Sequence, residues 1–372
     1  MTLQGATGAP PQAHSSVVKR VLRQARSGAR KVAEALATPL LPEDFLDLID
    51  PLRSGADLRG RVVAVRPETA SATTVVIRPG RGWRTHRPGQ YTRIGVDVDG
   101  VRQWRAYSIT SPVNDAGTIT LTIRAIAEGK VSNYVKAHLR PGAVILLDQA
   151  TGDFVLPSQV PDAVLFLTAG SGITPVMGML RNSPLPRDVV VVHSAPTPEE
   201  MLFRTELRAL ADAGRIRLIT RFTRAAGVLP VTELDSVVPD WRTRHTWACG
   251  PTALLDDAEA HWADAGLADH LHTERFRPRI HAVGEGGEIT FTRSGITTAA
   301  DASTTLLDAG EEAGVLMPSG CRMGICFNCV VPMTEGSVRD LRTGDLTTAN
   351  PDDPVIIQTC VSAAAGPCHL RI

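Results

Sequence analysis

Between residues 58 and 156, apolar and polar positions alternate in short runs at 62–65, 73–77, 91–96, 118–126 and 144–147, each bounded by Gly or Pro turns. Alternation with period two buries one face of a strand and leaves the other wet, so this segment predicts a small antiparallel β-barrel. After residue 157 the texture changes. Residues 163–168 and 189–193 are unbroken apolar runs joined through a glycine turn and a helix-like stretch, which predicts a parallel sheet covered on both faces. Pro278 to Gly287, with glycines at 284, 286 and 287, reads as a linker. A strand at 289–293, a helix at 303–313 stopped by Gly314, and a cysteine loop make a third unit. The expected fold class is therefore multi-domain, α+β and α/β. Its divisions are an N-terminal extension (1–55), the barrel (56–156), the parallel-sheet domain (157–279), a linker (280–287) and the cysteine-bearing domain (288–372).

The extension has its own pattern. Residues 1–15 are rich in Gly, Ala, Pro and Gln without periodicity, whereas Val17, Val18, Val21, Leu22, Ala25, Ala29, Val32, Ala33 and Leu36 recur at helical spacing. Lys19, Arg20, Arg23, Arg26, Arg30 and Lys31 fall mostly on the other side of that helix. Its apolar face either packs on the protein body or touches anionic lipid or a membrane-bound partner; the absence of Trp and Phe from that face favours packing. No run approaches the roughly 18 apolar residues of a membrane span, and no secretory leader is legible, so a cytoplasmic protein is expected.

Composition is that of a globular chain, with 43% apolar and 21% charged residues. Net charge is zero, but the last segment is acidic: from Glu288 onward ten Asp and Glu face five Arg. Nucleic acid is excluded as a partner for that end, and a basic protein surface suits it.

Chemistry concentrates in the cysteine loop. Cys321, Cys326 and Cys329, with Cys360 about thirty residues on, have the C-x4-C-x2-C…C spacing of plant-type 2Fe-2S proteins, and four thiolates can hold two irons and two sulfides. A structural zinc site usually repeats C-x2-C, and only one such pair exists here. Ser319, Gly320 and Gly324 let backbone amides approach inorganic sulfur. Cys368 is left over as a small buried hydrophobe.

Three segments form an ordered set in the barrel: Pro88-Gly89-Gln90-Tyr91, then Arg105-Ala106-Tyr107-Ser108-Ile109-Thr110, then Gly129-Lys130-Val131-Ser132. An Arg fork suits a pyrophosphate, a Tyr face can cover a flat ring, and a Ser hydroxyl can donate a hydrogen bond. Residues 129–132 open an apparent helix, which presents free amides to phosphate. Taken alone, R-x-Y-S-x-T could be an ordinary hairpin face. In the parallel-sheet domain, Gly170-Ser171-Gly172-Ile173-Thr174-Pro175 follows an apolar strand and can cradle a second pyrophosphate. Pro175 replaces the usual third Gly, and His193 and Ser194 stand where an acidic ribose ligand is expected.

Together these segments resemble the ferredoxin-NADP reductase family over nearly all of residues 55–372, in the order FAD barrel, NAD(P) domain, β-grasp ferredoxin domain. The resemblance implies that Arg105, Tyr107, Ser108 and Gly129 to Ser132 hold FAD and that Gly170, Ser171, Gly172, Thr174 and Pro175 hold NADPH or NADH. It places Cys249 of Cys249-Gly250-Pro251 beside the nicotinamide carbon, and Glu274 and Phe276 over the flavin face, with Ser108, Cys249 and Glu274 catalytic. By residue type alone, a buried strand-end Cys and a surface Glu beside a core Phe are the plainer readings. Thr223 and Arg224 stand where relatives bind the 2′-phosphate of NADPH, though an Arg touching nothing fits as well.

The activity implied is an NAD(P)H-dependent reductase that delivers single electrons to an oxygenase, hydroxylase or fatty-acyl desaturase. The extension, with Pro39, Pro42 and Pro51 around residues 44–50, looks like that of actinobacterial reductases paired with membrane desaturases. A monomer, peripheral to a membrane only through its partner, is expected. A redox-sensing module that binds nucleotide and cluster without turnover is the alternative, and no output domain is legible for it.

Overall fold

In the computed structural model of this chain the described residues are 46, 49–53, 57–98, 100–113, 117–127, 129–182, 184–276, 282–320, 322–324 and 327–372. The expected helix at 16–38, and Cys321 and Cys326, lie outside them.

The alternating segment folds as expected. Strands β1 (Arg59–Thr69), β2 (Ala72–Pro79), β3 (Tyr91–Val98), β4 (Val101–Ser108), β5 (Ile119–Arg124) and β6 (Val144–Leu147) pair antiparallel in the order β4-β3-β6-β1-β2-β5. A register shift between Val62 and Ala64 bends the long first strand. A bridge from Ile109, just past β4, to Leu121 on β5 closes the barrel. Helix α1 (Lys130–His138) sinks Val131 and Val135 into its core beside Ile77, Ile94 and Leu121.

The unbroken apolar runs form a parallel sheet of β7 (Ala163–Ala169), β8 (Asp188–Ala195), β9 (Arg217–Phe222), β10 (His245–Cys249) and β11 (Leu271–Glu274). Both faces of β7, β8 and β10 are buried, which is why those strands do not alternate. Val164, Phe166 and Val191 pack into one core with α2 (Ile173–Leu180) and α3 (Arg204–Asp212), while Leu165, Leu167 and Val192 meet α4 (Thr252–Asp264) in another. Strand order is β11-β10-β7-β8-β9, so the chain first builds outward from β7 and then returns to its other side. The reversal opens a crevice at the carboxyl ends of β7 and β10, where doubly wound sheets bind ligands.

The third sheet is mixed: β12 (Gly287–Phe291), β13 (Ile296–Ala300), β14 (Val330–Asp340), β15 (Leu346–Ala349), β16 (Val355–Gln358) and β17 (Ser362–Leu370), with β12 and β17 parallel. Helix α5 (Leu306–Glu312) starts later than the sequence pattern suggests. The Asp301 carboxylate accepts from the Ser303 and Thr304 amides at 2.8 and 2.7 Å and holds those residues in a turn, leaving Thr305 as the cap, its hydroxyl accepting from Asp308 N–H at 3.1 Å. The linker's second half is also tied down, since Gly284, Glu285 and Gly286 donate to the carbonyls of Ala302 and Ala364.

Barrel and parallel sheet share a polar seam. Glu68 of β1 accepts from the Phe203 amide at 2.9 Å, and Arg181 donates to the Thr110 carbonyl at 2.5 Å while forking onto Glu206. Asn182 accepts from the Val113 amide at 2.9 Å. Gly178 of α2 permits the approach, because a Cβ there would lie 2.4 Å from the Ile109 carbonyl.

Candidate functional site

A cavity of about 340 Å³ opens where the three sheets meet. The barrel contributes Arg105, Tyr107, Ser108, Arg124, Gly129, Val131 and Ser132; the nucleotide sheet contributes Ser171, Thr174, Glu274, Arg275 and Phe276; and the cysteine loop contributes Arg322 and Met323. Residues separated by more than 200 positions thus line one space.

At the end of β4, Ser108 is buried, and its hydroxyl has no hydrogen-bond partner among the described residues. A buried hydroxyl left unpaired costs stability, so it calls for an acceptor from a bound molecule. Burial pushes the Arg105 guanidinium down to about 10, with the nearby Arg322 charge adding to the effect. Arg105 has a backbone acceptor, the Trp104 carbonyl at 2.7 Å. The same burial raises the Tyr107 phenol well above its ordinary value. Gly129 precedes α1, whose first amides have no intrahelical acceptor; the Ser132 hydroxyl turns back to the Gly129 carbonyl at 3.1 Å. These residues fit a flavin nucleotide: an enclosed apolar space, an orphaned donor for the ring, and arginines and amides for phosphate.

At the crevice, strand register aligns Glu274, Cys249, Thr168 and His193 as neighbours across β11, β10, β7 and β8. Burial pushes Glu274 up to about 8, so its carboxyl is protonated at neutral pH, and its Oε2 has no partner among the described residues. Burial, then Glu274, raise the Cys249 thiol. Thr168 and His193 Nδ1 are 2.9 Å apart, and burial lowers His193 to about 4, keeping it neutral. Gly172 and Gly250 pack the two turns together, since a Cβ on Gly172 would lie 1.9 Å from the Cys249 carbonyl. Lys130, Gly170, Gly172, Pro175, Cys249, Gly250 and Pro251 do not line the cavity itself. Thr223 and Arg224 begin a short helix beyond β9, away from it; there Arg224 is exposed and pairs with Glu200 at 3.3 Å.

Cys329 of the cysteine loop and Cys360 face each other at 3.2 Å, too far for a disulfide and close enough to ligate one iron. Their hydrogen bond, the largest cause, pulls the Cys329 thiol below its ordinary value. Thr359 donates to the Cys329 carbonyl at 2.9 Å, and Arg342 and Gln358 hold the Gly324 carbonyl at 3.0 and 3.1 Å. Paired thiols on a braced loop are a donor set that suits iron and sulfide. Arg124, Arg275, Arg322 and Met323 were not legible as cavity residues, because only the tertiary fold brings those positions together.

The fold and site define a flavoprotein reductase with an appended iron-sulfur domain. Residues 84–156 match the oxidoreductase FAD-binding domain family and 289–365 the 2Fe-2S iron-sulfur cluster binding domain family. The chain is 50% identical over 354 residues to an NADPH oxidoreductase of Mycobacterium tuberculosis, covering 92% of each chain. It is 26% identical to the glycine betaine monooxygenase reductase subunit of Chromohalobacter salexigens, over 74% of this chain and 84% of that one. Its fold is similar to that of phthalate dioxygenase reductase, with a TM-score of 0.59, 18% identity, and coverage of 84% and 97%. The chain belongs to the single-chain FAD and 2Fe-2S oxidoreductases of the ferredoxin-NADP reductase family.

Proposed function

We propose that this oxidoreductase takes hydride from NADPH, or NADH, at the crevice between β7 and β10 and delivers single electrons to a protein acceptor. The observation that carries the reading is the shared cavity: Ser108 of the flavin segment, Glu274 of the nicotinamide segment and Arg322 of the cysteine loop line one space. Bound FAD supplies acceptance of two electrons as hydride and their release one at a time, and the 2Fe-2S centre carries one.

The chain's own residues prepare that chemistry. Arg105, Arg124 and the α1 amides bind and orient phosphate; Ser108 offers a hydroxyl donor already stripped of water; Tyr107 gives an apolar wall. Glu274 holds a proton at neutral pH beside Cys249, so neither presents negative charge to an incoming nicotinamide. Phe276, 39% exposed, covers the opening until a nicotinamide ring displaces it. Cys321, Cys326, Cys329 and Cys360 hold the cluster, and Thr223 and Arg224 take the 2′-phosphate. The domain division is 56–156, 157–279 and 288–372, joined by 280–287.

The acceptor is a monooxygenase or a membrane-bound desaturase, reached from the exposed side of the cysteine loop, where Phe327 is 62% exposed. The acidic excess of 288–372 favours a basic docking face. One polypeptide carries all three regions, which supports action as a monomer. Among the described residues no helix is long and apolar enough to cross a membrane, so contact with lipid would run through the partner or the basic residues 19–31.

Steady-state reduction of ferricyanide and cytochrome c with each nicotinamide tests the reading. Many turnovers per molecule are expected, and a single reduction followed by arrest would overturn it.

A further inference from the structure

Arg322 belongs to the cysteine loop, yet it lines the flavin cavity with Arg105, which comes from a different sheet more than 200 residues earlier. Each guanidinium raises the electrostatic cost of the other; the Asp308 and Glu311 carboxylates offset that repulsion at Arg105, and a bound anion would offset it further. Arg322 is itself held tightly. It donates to Asp308 at 2.8 Å and to Glu311, its side chain is 15% exposed, and its backbone takes φ 59°, a conformation that L-residues rarely adopt. Those two carboxylates use Nη1 and Nη2. Nε, which points to neither carboxylate, is buried with no partner among the described residues. A brace within the third domain would explain the two ion pairs but neither the orphaned Nε nor a place in the wall of the cavity.

We propose that Arg322 is a binding residue for the flavin's phosphate chain, so that the iron-sulfur domain itself clamps the flavin held by the barrel. The inference rests on the FAD reading above. By linkage, flavin occupancy then also tightens the cysteine loop, since each event favours the other by the same factor. Arg124 and the α1 amides hold the same anion from the barrel side; Arg275, also in the cavity wall, lies within ion-pair distance of Asp256 at 2.9 Å and Glu259 at 2.8 Å through Nη2, and its Nη1 has no hydrogen-bond partner among the described residues.

The test strips flavin from the full-length, cluster-loaded protein and titrates back FAD, FMN and riboflavin, following flavin fluorescence, with cluster content checked by visible absorbance. Arg322→Gln should raise the Kd of FAD and FMN about tenfold or more, the scale of a lost charge-assisted hydrogen bond, and leave riboflavin, which has no phosphate, unchanged. Arg322→Lys should recover part of the loss. Asp308→Asn, which weakens the brace but keeps the cation, should leave FAD affinity unchanged or tighter. The proposal is overturned if Arg322→Gln leaves FAD affinity intact, if riboflavin weakens equally, or if Asp308→Asn weakens FAD as much as Arg322→Gln does. Wild-type protein that binds no FAD would instead remove the flavin reading on which the inference stands.

Discussion

Cys249 and Glu274 are register partners at the carboxyl ends of adjacent parallel strands, and burial keeps both side chains in their protonated forms at neutral pH. A carboxyl held neutral beside a thiol can donate hydrogen bonds and store a proton, which an ionised glutamate could not do.

Glu274 should therefore impose a pH dependence on stability. Its folded value of about 8 lies above the ordinary 4.5, so the native state binds a proton that the unfolded chain has released. Stability is fully retained below the unfolded value, falls between the two, and levels off above the folded one, by on the order of a few kcal/mol in all. Glu274→Gln should flatten this fall in urea titrations of flavin-stripped protein between pH 5 and 9. It should also slow hydride transfer by ~10²-fold, the usual scale for a lost proton-handling group. An unchanged pH profile would mean that solvent reaches the carboxyl.

Replacing Cys329 or Cys360 by Ser should remove the visible absorbance of the cluster while NADPH still bleaches the flavin. Reduction of cytochrome c should then fall far more than reduction of flavin in single-turnover mixing. Equal losses in both steps would refute the division of labour between the domains.

Arg224 is paired with Glu200, so a 2′-phosphate must displace a carboxylate to reach it. Arg224→Ala should raise KM for NADPH about tenfold and leave KM for NADH near its wild-type value. Glu200→Gln should lower KM for NADPH. A uniform change for both nicotinamides would remove the 2′-phosphate assignment.

Gly172→Ala should be among the most damaging small substitutions in the chain. The added methyl would sit 1.9 Å from the Cys249 carbonyl, backbone against side chain, so one of the two turns at the crevice must move. The expected outcome is loss of nicotinamide binding by equilibrium dialysis, with FAD and cluster absorbance retained.

Much of this was legible in the sequence for a physical reason: short-range chemistry leaves short-range patterns. Cysteine spacing, the glycine turn after β7 and the helix after Gly129 are set by local geometry. Strand β14 was not, because Pro332 and Gly336 interrupt its apolar pattern, and its pairing with β17 across a register shift holds it extended. Strand β4 was also missed as a strand. Its central residues are half-buried rather than alternating, since one side faces the cavity and the other carries Trp104 against Gly95. The ring of cavity arginines left no signal, because Arg124, Arg275 and Arg322 become neighbours only after three domains assemble.

The seam between barrel and nucleotide sheet limits how this enzyme can be rebuilt. A chimera that grafts a foreign nicotinamide module after residue 157 would deprive Glu68 Oε1 and the Thr110 carbonyl of the donors they have across the seam, and a replacement lacking glycine at position 178 would collide with Ile109. Glu200 and Arg224 stand apart from that seam: the ion pair recorded for Arg224 joins it to Glu200 within the same sheet's domain, so substitutions there leave the Glu68 and Thr110 contacts in place.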